Sequence, residues 1–408
     1  MSAIALLTVE RLRSGVTYIP LGDEYWADPY PMYRSLRNRD PFHRSLLTKT
    51  WVLTGYDDVA AVLRDDRLTV DIRKLPSYPV PAPEAGRPAG EMTSMLTLDP
   101  PDHTRLRGLV SRAFSARSIQ TLRPRVEAVV DELLDAVAGQ GEMDLIRDLA
   151  GPLPIIVIGE MFGIPEEDRS QFTAWAEEMV LAVGYRAPDQ VRRSSEALRH
   201  MNGYLEGVIA ERKRTSGDDL LSALLAAEAE GDKLSPDEVL STSRLLINAG
   251  YVTTTHAIGN GLLALLQRRD QWEMLCADRS LIEGAAEELL RYDSPAQATS
   301  RYAPEALALC GQRVEARQQV VVVLGAANRD PTRFADPDRL DITRKENHHL
   351  SFGLGIHFCL GAPLARLELQ AVLAALTERF PNLGLAGDDV DRGNHMLIRG
   401  LNALPVTF

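Results

Sequence analysis

Between Ser351 and Gly361 the chain reads Ser-Phe-Gly-Leu-Gly-Ile-His-Phe-Cys-Leu-Gly, and no other stretch constrains the fold as much. Gly353, Gly355 and Gly361 permit backbone angles and close approaches that a side chain blocks. The segment after it, Ala362 to Leu373, reads as a helix with Pro363 in its first turn. A glycine-pinned loop therefore delivers Cys359 to a helix N-terminus. Unpaired N–H groups and the helix dipole there favour an anionic thiolate, a soft ligand for a metal.

Three plainer readings stand beside this one. A lone cysteine often serves as a small buried hydrophobe. His348, His349, His357 and Cys359 lie close enough in sequence for zinc, but closed zinc sites use spaced ligand pairs, and Cys276 and Cys310 offer none. The glycines touch on a dinucleotide fingerprint but lack its third glycine and a surrounding βαβ unit. Against these, Phe352, Gly353, Gly355, His357, Cys359 and Gly361 fill every defined position of Phe-Gly-x-Gly-x-His/Arg-x-Cys-x-Gly. The loop thus closely resembles the haem-binding loop of the cytochrome P-450 family. The resemblance runs from about residue 28 to 408. It implies a mainly α fold with a smaller β region, and haem b with Cys359 as axial ligand.

The rest of the chain fits that expectation. Its 408 residues carry a formal net charge of −12, so the surface is acidic and a nucleic-acid partner is not expected. Three cysteines make no disulfide framework, and a reducing cytoplasm suits them. The apolar start, Ala3 to Val9, meets Glu10 far short of the roughly 20 apolar residues of a membrane span. It also lacks the basic start of a secretory signal. The chain reads as a single domain, 1–408, with 1–27 as an N-terminal arm, no membrane anchor and a cytoplasmic location.

Residues 42–54 read as a β-hairpin, and Asp57 opens a short helix with Val59, Val62 and Leu63 on one face. A Pro/Gly/Ser-rich loop follows, from Pro76 to Gly90. Helical patterns cover Ser118–Ala138, Glu166–Val183, Gln190–Arg214 and Asp218–Glu228. Ser235-Pro-Asp-Glu238 is a capping box with proline at N1, opening a helix to about Arg268. Val320–Leu324 is the clearest strand, and Met396–Leu401 reads as strand and turn.

Several constellations acquire roles through the resemblance. His103 and Arg107 stand four apart on one helix face, by themselves an ordinary solvated pair. With Arg301 and His357 they match the family's donors to the haem propionates. Glu288 and Arg291 form a Glu-x-x-Arg, by itself a surface ion pair. In the family this pair is buried with a third group behind the cysteine loop, and Arg339 stands at the matching place. Ala249-Gly250-Tyr251-Val252-Thr253-Thr254 matches the family's oxygen-activating helix segment. Thr253 and Thr254 are the candidate catalytic hydroxyls, and Ala249 and Gly250 let the backbone approach the haem. Consecutive threonines also suggest a local widening of the helix. The family's acid is Val252 here, which relays no proton, so delivery falls to Thr253, Thr254, His256, water or the substrate.

The resemblance further implies a monooxygenase that consumes dioxygen and inserts one oxygen atom into a small molecule, by hydroxylation or epoxidation. The alternatives are an atypical haem-thiolate oxidation (coupling, desaturation or peroxide-driven) and a non-catalytic haem-binding partner. Without a flavin or nicotinamide fingerprint, electrons are expected from a ferredoxin and its reductase. Arg105, Arg112 and Arg366 form a candidate landing patch. Substrate contacts map to the 72–95 loop, Gly184–Pro188, Leu246–His256, Pro295–Thr299 and His395–Leu397. They include Met92, Met95, Leu246, Val252, Gln297, Thr299 and Met396. A secondary metabolite, as in antibiotic biosynthesis, is the expected substrate class.

Overall fold

The computed structural model describes residues 2–76, 94–111, 114–181, 188–215, 217, 219–226, 234–387, 390–393 and 397–408. Met92, Met396, Arg112, most of the 72–95 loop and nearly all of the Gly184–Pro188 break lie outside them. The chain opens with α1 (Ala3–Ser14), α2 (Asp23–Ala27) and α3 (Tyr30–Arg39). The hairpin follows as β1 (Phe42–Arg44) and β2 (Trp51–Leu53), in register Phe42↔Leu53, and then α4 (Tyr56–Arg64). Next come α5 (Asp102–Ser111), α6 (Ala116–Gln120), α7 (Arg123–Asp135), β3 (Glu142–Asp144) and a π turn at Ile146–Ala150.

The helix expected over Ser118–Ala138 is thus two. Pro124 in the first turn of α7 lacks the N–H a continuous helix needs and disfavours helical geometry before it. The central helices are α8 (Pro152–Met161), α9 (Arg169–Leu181), α10 (Pro188–Arg214), α11 (Leu220–Ala226) and α12 (Pro236–Leu266). The capping box opens α12 as expected: Ser235 Oγ accepts from Glu238 N at 3.2 Å, and Glu238 Oε2 from Ser235 N at 2.8 Å. From Tyr251 onward α12 is buried nearly all round, because α8, α14 and α16 pack against it from several sides.

The remaining helices are α13 (Arg269–Ala277), α14 (Ile282–Tyr292), α15 (Leu324–Ala327) and α16 (Ala362–Arg379). The later strands are β4 (Thr299–Tyr302), β5 (Leu307–Leu309), β6 (Gln312–Val314), β7 (Gln319–Val322), β8 (Gly384–Leu385) and β9 (Pro405–Thr407). The main sheet has the order β1-β2-β7-β4, with β2 and β7 parallel. β3-β9-β8 and β5-β6 form two smaller sheets. The expected strand to Leu324 stops at Val322, and Leu324 instead begins the short helix α15. Ile398 of the tail makes a single bridge with Ala296, and Leu401 one with Arg392 within the tail. Among the described residues no helix is long and apolar enough to cross a membrane.

Candidate active site

The cysteine loop is tied to the body before it turns. Leu350 N donates to Asn328 Oδ1 (2.7 Å), Asn328 Nδ2 to Ser351 Oγ (2.8 Å), and Ser351 Oγ to the Leu290 carbonyl of α14 (2.8 Å). Gly353 N then bonds the Leu350 carbonyl and Cys359 N the Phe352 carbonyl, each at 2.8 Å. Gly355 has φ 74°, and a Cβ there would stand 2.7 Å from the Leu63 carbonyl, so both conformation and space require glycine. Burial raises the Cys359 thiol above its ordinary range. The Gly361 N–H, Arg107, the Ala362 N–H and Arg366 oppose that shift without prevailing. The helix N-terminus alone therefore does not ionise this cysteine as the sequence suggested. A cation bound at Sγ would supply the missing stabilisation.

Behind the loop lies a buried ionic network. Glu288 and Arg291 are fully buried, paired through Nε–Oε2 at 2.7 Å and Nη2–Oε1 at 2.8 Å. Arg291 also donates to the carbonyls of Asn328 (2.8 Å) and Pro337 (2.9 Å), and Glu288 accepts from Asp341 N (2.9 Å) and Asn347 Nδ2 (3.1 Å). The third cation is Arg344, whose Nε lies 3.1 Å from Glu288 Oε2. Arg339 is corrected here: its side chain is exposed, and only its carbonyl meets Arg291. Sequence position pointed to Arg339, but the turn after Leu340 brings Arg344 back over the pair.

A second network escaped sequence reasoning. Glu287, beside Glu288, is bonded by Arg366 from α16 at 2.6 and 2.8 Å, and its Oε2 lies 3.2 Å from His349 Nε2. Burial raises the Glu287 carboxyl, but His349 and Arg366 outweigh it and bring it to about 2. Arg366 also stacks on Phe352, 4.6 Å from the ring centroid. Arg366, expected in a landing patch, thus also clasps the loop. Arg105 is likewise paired, with Glu238.

The expected propionate donors do converge. The rings of His103 and His357 lie 4.4 Å apart. Both ring nitrogens of His103 and Nε2 of His357 are buried without a hydrogen-bond partner. Burial, then the positive potential of His103 and Arg301, pushes His357 down to about 3. Burial likewise lowers Arg301, with only partial relief from Asp99. The Asp99 carboxylate is itself occupied by Thr69, Val70 N and Lys74 (3.2 Å). Arg107 donates to the Phe358 carbonyl at 2.6 Å. Buried donors left unmatched mark a place where an anionic group belongs, and the dianionic edge of haem fits this set. The zinc reading fails by contrast: His349 meets Glu287 and His357 meets His103, so the four residues do not converge.

On α12, Thr253 is half-buried and its Oγ1 donates to the Ala249 carbonyl at 2.8 Å, while Ala249 itself is exposed. The helix stays α throughout, so the expected widening is absent and Thr253 only back-bonds. Thr254 and Val252 are buried, a rotation away from the face that carries Thr253. A Cβ on Gly250 would stand 3.7 Å from Ile158 of α8, ordinary contact with room for a methyl group. Of the expected substrate contacts, Thr299 is half-buried on β4, and Met95 and Leu246 belong to the core. Gln297 is buried: its Nε2 donates to the Ser294 carbonyl at 2.7 Å, its amide packs on Gly325, and its Oε1 has no hydrogen-bond partner among the described residues.

The loop, its cradle and the unmatched donors define a haem-thiolate site. The family model for cytochrome P450 matches residues 43–278 and 267–391. Cytochrome P450 monooxygenase PikC of Streptomyces venezuelae is 43% identical, covering 98% of this chain and 97% of its own length. 6-Deoxyerythronolide B hydroxylase of Saccharopolyspora erythraea is 40% identical, over 94% of this chain and 97% of its own. The crystal structure of P450BioI with a hexadec-9Z-enoic acid ligated acyl carrier protein superposes with a TM-score of 0.89. It is 39% identical and covers 94% of this chain and 99% of that one. The chain belongs to the cytochrome P450 family. It is an oxidoreductase of the monooxygenase type that binds haem b, with the Cys359 thiolate as axial ligand, and acts with dioxygen on a small molecule.

Proposed function

We propose that this enzyme hydroxylates or epoxidises a bacterial secondary metabolite, taking its electrons from a ferredoxin and its reductase in the cytoplasm. We take residues 1–408 as one catalytic domain with 1–27 as its arm. The observation that carries the site assignment is the set of buried, unmatched donors at His103 and His357 beside Arg301. Bound haem supplies the oxygen-activating chemistry, promoted by electron donation from the thiolate. His103, Arg107, Arg301 and His357 would hold the propionate edge, and Phe352, Gly353 and Gly361 would shape the loop beneath it. Thr253 would hold a proton at Oγ over the site, from a hydroxyl that here donates to the Ala249 carbonyl. Relatives named for polyketide biosynthesis and for hydroxylation of 6-deoxyerythronolide B support the substrate class.

Reduced protein under carbon monoxide should give the strongly red-shifted Soret band of thiolate ligation. Incubation with polyketide and macrolide candidates, a ferredoxin, its reductase and reductant should then yield a product heavier by one oxygen atom. A histidine-type spectrum would overturn the reading. Desaturated or coupled products in place of oxygenated ones would favour the atypical oxidation.

A further inference from the structure

The N-terminal helix α1 is held to the body by charge. Its apolar side chains do not dock it: among the described residues none of them joins a core cluster, and Ile4 and Leu12 are 78% and 82% exposed. The one buried residue of α1 is an acid, Glu10. Its Oε1 accepts from Tyr18 N at 2.9 Å and lies 2.7 Å from His43 Nε2. Its Oε2 accepts from Leu46 N at 2.7 Å and from Ser45 Oγ at 3.4 Å. Among the described residues, every hydrogen bond and ion pair from α1 to residues beyond Val16 ends on this carboxylate. The helix stops at Gly15, whose φ of 74° makes a left-handed joint. Past that joint Val16 and Tyr18 are core residues, so the firm part of the chain begins there.

The cation opposite Glu10 is His43 of β1, which is 1% exposed. Its Nδ1 lies 2.8 Å from Asp40 Oδ2. Each ring nitrogen thus faces a carboxylate oxygen, which only accepts. Both nitrogens must donate, and an imidazole with two N–H groups is the cation. Burial disfavours that cation, but Glu10 and Asp40 outweigh it and raise His43 above its ordinary range. Burial likewise raises Glu10, while His43 and the N–H groups of Tyr18 and Leu46 prevail and lower it. The other charged groups of these elements turn elsewhere. Arg37 and Arg39 of α3 bond the Ala326 and Gly15 carbonyls at 2.9 and 3.3 Å. Arg44 of β1 lies over the Trp51 ring at 5.6 Å, with Arg13 of α1 a like charge beside it. Arg11 and Lys49 are exposed.

We propose that His43 is a proton-operated clasp on α1, which holds the arm while charged and frees it on losing its proton. A neutral ring has one N–H, so one of the two carboxylates then faces a lone pair. Asp40 is 32% exposed and turns to water, whereas Glu10 keeps its anion in the interior without a counter-charge. A swing at Gly15 carries Glu10 into solvent. The clasp is complete below the ordinary imidazole value of about 6.5 and is lost as pH rises through the raised value of His43. At the acid end it is lost as pH falls through the lowered value of Glu10.

Full-length haem-loaded protein is labelled with deuterium from about pH 5.5 to 9.5, and each amide rate is divided by its intrinsic rate at that pH. Protection over Ala3–Ser14 should be highest near the acid end of that range. It should fall roughly ten- to hundred-fold on the alkaline side, the scale of one lost charge-assisted bond, while α7 stays constant. His43→Gln and Glu10→Gln should each show the low protection at every pH, with no alkaline step. Histidine NMR of the reduced carbon monoxide form gives a second reading. The His43 signal should titrate above its ordinary range and return toward it in Glu10→Gln. A flat wild-type profile, wild-type protection in His43→Gln, or a His43 signal at its ordinary value would each overturn the clasp. If the variants also lose protection in α7 they have unfolded, and the wild-type profile and titration then decide.

Discussion

The cysteine loop is flanked by two charged regions built to opposite rules. On the Glu288 side the buried charges are matched: Arg291 spends its guanidinium on Glu288 and on backbone carbonyls, and Glu288 also takes Arg344, Asn347 Nδ2 and Asp341 N, though Asn347 Oδ1 stays unpartnered. On the His103 side, three ring nitrogens are buried without partners among the described residues, and Arg301 donates to the Ser300 carbonyl with only partial relief from Asp99. Both regions are buried, so exposure does not explain the difference. Burying a polar group is costly unless it is bonded, so the matched side is complete scaffold and the unmatched side is completed by its cofactor. Satisfaction, more than charge or burial, separates structure from site here.

That comparison can be broken in several places. The largest effect is expected at the loop itself: Cys359→Ser should abolish the red-shifted carbon monoxide band, because a hydroxyl is a far poorer donor to iron. Next, Glu288→Ala should cost roughly 3–5 kcal/mol by stranding the Arg291 cation in the interior, and give haem-poor or insoluble protein. A normal melting temperature would show that the network is not what holds the loop.

Glu287→Gln tests the second clasp through pH. Its folded carboxyl sits at about 2 against an ordinary 4.5, so the stabilisation it adds is complete above about pH 4.5 and fades as pH falls toward 2. The variant should lose roughly 2–3 kcal/mol at neutral pH and show a shallower acid limb in denaturant titrations.

A smaller, more discriminating effect is expected at the unmatched side. Arg301→Leu should raise the rate of haem transfer to an acceptor protein by about ten-fold, or roughly 1.4 kcal/mol, without lowering the melting temperature of the haem-free protein. A drop in that melting temperature would move Arg301 from site to scaffold. The smallest effect belongs to Arg339→Ala, within about 0.5 kcal/mol of wild type, whereas Arg344→Ala should be clearly destabilising.

How much could be read without coordinates depended on whether partners were local. The cysteine loop, the capping box at Ser235 and the hairpin at 42–54 are set by neighbours a few residues apart, through glycine conformations, caps and alternation, and all three appear as read. Glu288 with Arg291 was legible for the same reason. The third cation was not, because Arg344 and Arg339 differ only in which one the turn after Leu340 returns to the helix. Glu287, Arg366 and His349 come from three separated segments, and nothing in their local sequence joins them. Side-chain direction was equally hidden. Thr253 and Thr254 are consecutive and chemically alike, but a turn of about 100° per residue leaves one half-buried and buries the other. The neighbours of Gly250 and Gln297, Ile158 and Ser294, were likewise set by packing rather than by local sequence. Residue order alone thus determined the ligand, the loop that carries it and the helix above it. The tertiary structure alone decided which charges are matched and which side chains face open space, because both depend on contacts between segments far apart in the chain.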